Sequence, residues 1–475
     1  MGGWGTIYTT ARSALWLHEQ ELARLQEMAA SGLRVRRASD APTDAFQILG
    51  LRADSAATDT YLGNLGNVTD SLAVASSVLE QMTEVLARVR ELLAQAASGT
   101  YSARDRRPIA DEVNALLEQL VLLANTKHLD RSVFGGSARG GIAYTTQKED
   151  GRIARVDYTG SLRADAVPVG PGLDYAAVLV GDEVFRGRER AAPEFSGSTG
   201  ARPGAGTSTV RGDVWLSVRH DATVYLGTSG IAPGPSSPSA DTVLGDGHTL
   251  TIDAPGRTLS LDGGPAVSFA DGETDVRVAS ASGDVVYVNV AGLDPAFQGT
   301  VGIQAAGRLS INDGADEVAI DFASANLAVT DAASGRILYV DATGITRSGV
   351  EPVRTPGTYD LFGAVLNVRD VLLNVRGVTE KTQSDLMHQA IGTLDEVLTN
   401  LSRAETSVGA RLGALATLGD TLQNVKIFAD DGAAGLENAD IVLVATDLAR
   451  RQSLYEMTLA TASRLLGLSL LDFIE

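Results

Sequence analysis

Five histidines, His18, His128, His220, His248 and His388, are the side chains best suited to metal binding or general base work, and no two stand close in sequence. None falls in the H-E-x-x-H spacing that puts two imidazoles on one helix face. Cysteine is absent, which removes thiolate metal sites, a cysteine nucleophile and any disulfide. No Gly-Lys-Ser/Thr step offers a phosphate loop, and Gly170-Pro171-Gly172 lacks the third glycine and the following helix of a dinucleotide site. No G-x-S-x-G elbow presents a serine nucleophile. The acidic turns Asp271-Gly272-Glu273-Thr274-Asp275 and Asp313-Gly314-Ala315-Asp316-Glu317 carry oxygen ligands, but without the spacing of an EF-hand loop. Asp and Gly also occupy hairpin turns for backbone reasons alone, so calcium binding stays open. These residues argue against an enzyme and call for no cofactor and no catalytic or metal site.

The pattern that does stand out is structural. Leu65, Leu72, Leu79, Leu86 and Leu93 recur every seven residues, with Val68, Ala75, Met82 and Val89 in the offset position. Leu394, Leu401, Val408, Leu415 and Leu422 repeat the period near the other end, with Val397, Ala404 and Leu418 offset. A sustained seven-residue apolar repeat keeps one seam of a supercoiled helix facing a partner. The simplest partner for one ladder is the other, so the chain leaves as a helix and returns as one. His18 and Arg411 fall on seam positions, where register control or a solvated edge accounts for them. Packing of the ladders inside an ordinary globular bundle is the alternative.

Bulk composition bounds the rest. The 475 residues suffice for several domains, and 44% are hydrophobic but only 5% aromatic, so the helices must pack on Leu, Val, Ala and Ile. A net charge of −20 argues against a nucleic-acid partner, which needs a basic face. No apolar run reaches the length of a membrane span, and the first residues lack the charged and apolar regions of a cleaved secretory signal.

Along the chain, 13–30 reads as helix closed by Gly32, and Asp40-Ala41-Pro42 as the start of the long ladder helix, closed by Gly99. Ser102 and Asp105 form a capping-box pattern before a further helix to about Asn125, making an antiparallel hairpin. Short strands follow to Val184, then a Gly/Pro/Ser/Arg-rich linker over 186–210. The alternation of Val214, Leu216 and Val218, and of Leu250 and Ile252, reads as an all-β region. Two weak matches about fifty residues apart lie inside it: Gly256 to Asp262 with Gly307 to Asp313, and Gly283 to Val288 with Gly335 to Val340. Helix returns at Tyr359, carries the second ladder to about Val425, breaks at a turn over 429–438 and ends in a last amphipathic helix. Leu15, Leu22, Leu448, Tyr455, Leu459 and Leu466 give the terminal helices apolar faces with little in one copy to pack on. Burying a Leu gains about 1.5–3 kcal/mol, so these faces are expected to meet neighbouring copies.

The expected fold is α+β multidomain, a long antiparallel coiled-coil bundle from both chain ends with an inserted all-β outer domain. Its expected parts are an assembly segment (1–43), a helical hairpin (44–130), a short β segment (131–185), the linker (186–210), the outer β domain (211–350), C-terminal coiled-coil helices (351–428) and a last assembly helix (429–475).

Ordered motifs at both ends complete the reading. They are Ala30-Ser31-Gly32-Leu33-Arg34-Val35, Ser39-Asp40-Ala41-Pro42, Ser98-Gly99-Thr100, Asp105-Arg106, Leu123-Ala124-Asn125-Thr126 and Val133-Phe134-Gly135-Gly136. Gly181-Asp182-Glu183-Val184-Phe185, then Glu405-Thr406-Ser407-Val408-Gly409-Ala410-Arg411-Leu412 and Ser469-Leu470-Leu471-Asp472-Phe473-Ile474, follow in order. In these the chain resembles the flagellin superfamily of bacterial axial proteins, and within it the hook-associated protein 3 family of the hook-filament junction. Met1 to Ala11 and the size of the β region depart from that junction family, and filament flagellin remains the alternative. The resemblance implies a structural protein exported through the flagellar type III apparatus without a cleaved signal, and an extracellular place in the flagellum. It implies as partners further copies of the chain, flagellin, a neighbouring hook-associated protein and an export chaperone. The competing class is a stalked β-domain protein that binds a surface.

Overall fold

The structure, a computed structural model, describes residues 3–99, 101–138 and 140–474, with side chains described over 9–464 apart from 11, 100 and 139. Thr100 lies outside the described residues, as do the side chains of Leu466 and of 469–474.

Three helices open the chain: α1 (Gly3–Ser31), α2 (Pro42–Ala97) and α3 (Ala103–Ala124). Gly32 ends α1 at φ +71°, where a Cβ is costly. Pro42 is the first residue of α2, a position whose N–H has no helical partner in any case. Asp40 does not cap that helix. Its carboxylate accepts from the N–H groups of Arg36 and Arg37 (3.1 and 2.7 Å), closing the preceding turn. At α3, the Asp105 carboxylate accepts from the Ser102 N–H (3.1 Å) and from the Ser102 hydroxyl (2.6 Å). The capping box expected at Ser102 and Asp105 is thus formed.

The strands β1 (Lys127–His128) and β2 (Arg131–Ser132) pair, as do β3 (Tyr144–Glu149) with β4 (Arg152–Tyr158) and β5 (Ala166–Gly170) with β6 (Leu173–Ala176). A short α4 (Gly181–Val184) precedes β7 (Glu194–Phe195), β8 (Arg202–Pro203), β9 (Gly212–Tyr225) and β10 (Ala232–Pro233). Next come β11 (Gly245–Asp253), β12 (Thr258–Leu261), β13 (Val267–Ser268), β14 (Val276–Ala279) and β15 (Val285–Asn289). The last strands are β16 (Gln298–Ser310), β17 (Val318–Ala319), β18 (Leu327–Asp331), β19 (Arg336–Asp341) and β20 (Gly349–Thr355). The chain closes with α5 (Leu361–Leu373), α6 (Glu380–Glu437) and α7 (Ile441–Ile474). The architecture is α+β multidomain, with helices from both chain ends and a large inserted β region.

The chain divides into two compact units. The first is Met1–Ala73, Asp165–Ala177 and Gly409–Glu475; the second is Val74–Ala164 and Val178–Val408. The second holds an eight-stranded antiparallel sheet in the order β13-β12-β11-β16-β9-β20-β7, with β17 beside β16. Two three-stranded sheets, β10-β15-β14 and β18-β19-β8, complete the β region. The alternating residues Val214, Leu216, Val218, Leu250 and Ile252 all lie in its buried core, as period-two patterning requires. Near the helices of this unit, Phe134, Tyr144, Phe185 and Phe362 pack ring against ring at centroid distances of 4.7 to 5.9 Å.

Two segments differ from the sequence reading. Residues 429–438, expected as a turn, are helical as far as Glu437. The small residues that suggested a break are there for packing: Ala429 and Ala433 are buried, and a Cβ at Gly432 would stand 3.3 Å from Leu51. Residues 186–210 contain β7 and β8, which pair with β20 and β19. Arg190 anchors this stretch by donating to the carbonyls of Ser208 and Val210 (2.8 and 2.7 Å).

Candidate functional site

Seam positions at every seventh residue lie within about 20° of one face per heptad, so a helix of this kind is built to be covered along one stripe. In the first unit Leu65, Leu72, Leu415 and Leu422 are buried; in the second, Leu79, Leu86, Leu93, Leu394, Leu401 and Val408 are. Polar contacts set the register. Within the first unit, Arg52 pairs with Glu437 (2.5 Å), the Ser55 hydroxyl donates to Asp430 (2.6 Å) and Lys426 pairs with Asp59 (2.8 Å). One number rises as the other falls, so α2 and α6 run antiparallel there. Within the second unit Arg90 pairs with Asp395. Arg88 reaches across to Glu112 of α3 at 3.0 Å, the pairing of the helical hairpin.

The terminal helices find a partner that sequence alone does not name. Within the first unit α1 packs against α7. The chain crosses over where Arg34 N–H donates to Glu437 O (2.7 Å) and Ala439 N–H to Gly32 O (2.8 Å). Farther along, the Tyr455 hydroxyl donates to Glu19 (3.0 Å), so these helices are antiparallel too. Leu15, Leu22, Leu448 and Tyr455 are half-buried by this pairing, whereas Leu459 stays exposed. The pairing leaves a second set of apolar side chains in solvent that the sequence reading did not single out. Phe46 is 78% exposed, Phe428 77% and Val442 77%, with Leu49, Trp16, Leu17 and Met457 also exposed. The signal was available as apolar residues off the seven-residue register.

In the second unit a cleft of about 1100 Å³ opens among β4, β9, the turn before β19, and α5. At its inner end the Asp213 carboxylate accepts from the Tyr359 hydroxyl (3.1 Å) and from Asn367 (2.6 Å), with Arg354 at 3.9 Å. Arg354 donates to the Tyr359 oxygen (2.8 Å). Burial pushes Asp213 up to about 6, against the pull of Arg354 and the Tyr359 hydroxyl. At the cleft wall the Arg376 guanidinium lies 5.3 Å over the Trp215 ring and pairs with Asp313. These groups tie β9 to α5 and to the chain before α6.

Among the other polar residues singled out by type, Nδ1 of His18 and Nε2 of His128 are buried without a hydrogen-bond partner, while His248, His220 and the acidic turns contact protein groups. His248 is held between Asp262 (2.7 Å) and the Thr346 carbonyl (3.1 Å). His220 contacts Thr223 at 2.6 Å, and burial lowers its pKa. In the acidic turns Asp271 pairs with Arg257, Asp275 accepts from Ser236, and Glu317 pairs with Arg219. Among the described residues no group of three or more His, Cys, Asp or Glu could hold a metal ion. Among them, too, no helix is long and apolar enough to cross a membrane.

Comparison with known proteins bears on the helical part. Residues 6–137 match the family described as the bacterial flagellin N-terminal helical region. The chain is 28% identical over 188 residues to flagellar hook-associated protein 3 of Salmonella typhimurium, covering 35% of this chain and 59% of that one. It is 26% identical over 176 residues to a flagellin of Listeria monocytogenes, covering 35% of this chain and 61% of that one. The chain thus spans about three-fifths of the length of these curated relatives. Among solved structures, flagellar hook associated protein-3 of Legionella pneumophila aligns over 82% of this chain and 98% of that one, at 18% identity and a TM-score of 0.43. The resemblance to the flagellin superfamily read from the terminal motifs is borne out.

Proposed function

We propose that this chain, a relative of the flagellin superfamily through residues 6–137, is a structural component of the bacterial flagellum that forms an adaptor layer at the hook-filament junction. One observation carries the assembly part of this reading: α2 and α6 bury their seams in a single copy and α1 and α7 half-bury theirs, yet Phe46, Leu49, Phe428 and Val442 are left uncovered. Large apolar side chains held outward on long helices are surfaces for neighbours of the same kind. Leu15, Leu22, Leu448, Tyr455 and Leu459 line the terminal pair that such neighbours would complete, and Leu466 is assigned to the same assembly surface from its place in the sequence. The partners are further copies of the chain, flagellin on one side and another hook-associated protein on the other. Delivery is by an export chaperone and the flagellar type III apparatus to an extracellular position.

Filament flagellin is the second reading, favoured by the match to the Listeria flagellin over a similar share of the chain. Immunogold labelling separates the two. Label confined to the filament base supports the junction, label along the filament makes the protein a flagellin, and absence from flagella refutes both. Substituting Phe46→Asp together with Phe428→Asp is expected to leave the monomer's melting unchanged and to abolish incorporation. Normal incorporation would remove the assigned surface.

A further inference from the structure

The β region contains the same small fold twice. Two arms announce it: Gly200-Ala201-Arg202-Pro203-Gly204 and Gly230-Ile231-Ala232-Pro233-Gly234. The first glycine of each has positive φ, +93° and +80°, and a Cβ there would sit 1.8 Å from the Gly344 oxygen and 2.0 Å from the Gly292 oxygen. The last glycine of each donates its N–H to a tyrosine carbonyl, Tyr339 at 3.0 Å and Tyr287 at 2.9 Å. Each arm's X-Pro step forms the edge strand (β8 or β10) of a three-stranded sheet whose middle strand carries that tyrosine (β19 or β15). Sequence follows structure through these strands. Gly283-Asp284-Val285-Val286-Tyr287-Val288-Asn289-Val290-Ala291-Gly292-Leu293 aligns without a gap on Gly335-Arg336-Ile337-Leu338-Tyr339-Val340-Asp341-Ala342-Thr343-Gly344-Ile345.

The large sheet repeats in step. Ile252 of β11 faces Leu259 of β12, which faces Val267 of β13. Val218 of β9 faces Leu309 of β16, which faces Val318 of β17. The hairpins differ at their tips. The β11-β12 hairpin closes in a tight turn, with Arg257 N–H donating to Ala254 O at 3.1 Å. The β9-β16 hairpin is still paired at Tyr225 and Ile303, and Leu226 N–H donates to Gly302 O at 2.8 Å; from that tip the chain departs into the second arm.

We propose that the β domain is a nested duplication: residues 229–297 are a second copy of the fold made by 199–228 and 298–345, inserted at its hairpin tip, and this inner copy is an accessory module that assembly does not need. Contacts with the helical base come from the outer copy, through Asp213 to Tyr359 and Asn367 and through Asp313 to Arg376. Among the described residues, the hydrogen bonds and ion pairs of 229–297 stay inside the inner copy or reach the outer copy and the approach to β20. Thr242 N–H to the Ser348 hydroxyl (3.0 Å) and Arg347 to Asp284 (3.5 Å) are examples of the latter. An insertion of this kind adds a projecting surface without changing what carries the domain. The accessory role rests on the flagellar reading above; the duplication does not.

The test replaces 227–301 in the full chain with Asn-Gly, a two-residue turn suited to a hairpin, so that Leu226 is again joined to Gly302. Amide exchange is expected to keep the outer strands protected and α2 and α6 unchanged, and cells carrying the variant are expected to build normal flagella. A variant that folds but is left out of flagella overturns the accessory role. Because excision uncovers apolar side chains of β16, a second variant in the intact chain guards the result. Gly230→Ala should abolish exchange protection in 229–297 and leave the outer copy protected, whereas Gly200→Ala should unlock the outer copy. Simultaneous loss in both copies from Gly230→Ala overturns the modular reading. These exchange results are independent of where the protein sits in the cell, so a failure of the flagellar assignment in labelling is separately visible.

Discussion

Replacing Asp213 by Asn tests whether the polar cluster under β9 is built around a carboxyl that resents its charge. The side chain is mostly buried, and that burial pushes its pKa up to about 6, well above the ordinary carboxylate range. The folded protein therefore holds the proton to higher pH than the unfolded chain does. Stability contributed by this group is present at low pH and is lost as pH rises from about 4 through about 6. A shift of this size penalises the folded state by about 3 kcal/mol near pH 7.5 and by about 1 kcal/mol near pH 4.5. Asn keeps an oxygen to accept from Tyr359 or Asn367 and carries no charge, so it removes the pH-dependent part. The difference in unfolding free energy between variant and parent should then shift by about 2 kcal/mol between those pH values, in the variant's favour at the higher one. Urea unfolding followed by tryptophan fluorescence reads it, in a Trp4→Phe, Trp16→Phe background that leaves Trp215 of β9 as the sole reporter. Titrating groups that do not act on Asp213, such as Asp360, are common to both proteins and cancel in the difference, whereas the charge of Glu396 helps raise the Asp213 pKa and is part of the effect measured. Parallel stability profiles across this range would mean that Asp213 is ionised without cost, and the account of the cluster would be wrong.

Other outcomes follow from the same structure. Leu86→Ala and Leu401→Ala each empty a fully buried seam position and should cost about 2–5 kcal/mol in chemical unfolding; losses under about 1 kcal/mol would place the seam elsewhere. Gly32→Ala forces a Cβ onto φ +71° and should destabilise the α1–α7 crossing by about 1 kcal/mol, seen as faster amide exchange in α1 with the second unit untouched. Asp331, held down to about 2 first by the Ser334 hydroxyl, then by Arg336 and Asn312, stabilises the β region above about pH 4 and loses that contribution as pH falls toward 2. Asp331→Asn should accordingly flatten the acid limb of the unfolding profile, and an unchanged limb would refute the assignment.

Much of the helical part is legible in the sequence. Helix ends at Gly32, Pro42 and Gly99 follow from backbone rules that act within a few residues, and they stand where those rules put them. The turn expected over 429–438 failed for the opposite reason. Glycine and alanine there serve a close helix contact with Leu51, and a local reading of composition sees only their low helix propensity. The same ambiguity hid the arms. Gly200, inside the expected linker, and Gly230, inside the expected β domain, look like ordinary turn glycines until the carbonyls of Gly344 and Gly292 that crowd them are known.

What the chain determined on its own is everything carried by short-range periodicity: the two heptad ladders, the alternating strands, the caps and the family motifs at each end. What tertiary structure decided is register and the partners beyond the ladders. The two seven-residue stripes already point to one another, but the residue-by-residue register of α2 against α6, the pairing of α1 with α7 and the apolar residues left outside both emerged only in three dimensions. Strand pairing is likewise a long-range event, closed by residues as far apart in the chain as Glu194 and Arg354. That is why a faint fifty-residue echo in the sequence becomes a nested pair of folds once the hydrogen bonds of β8 and β10 are seen.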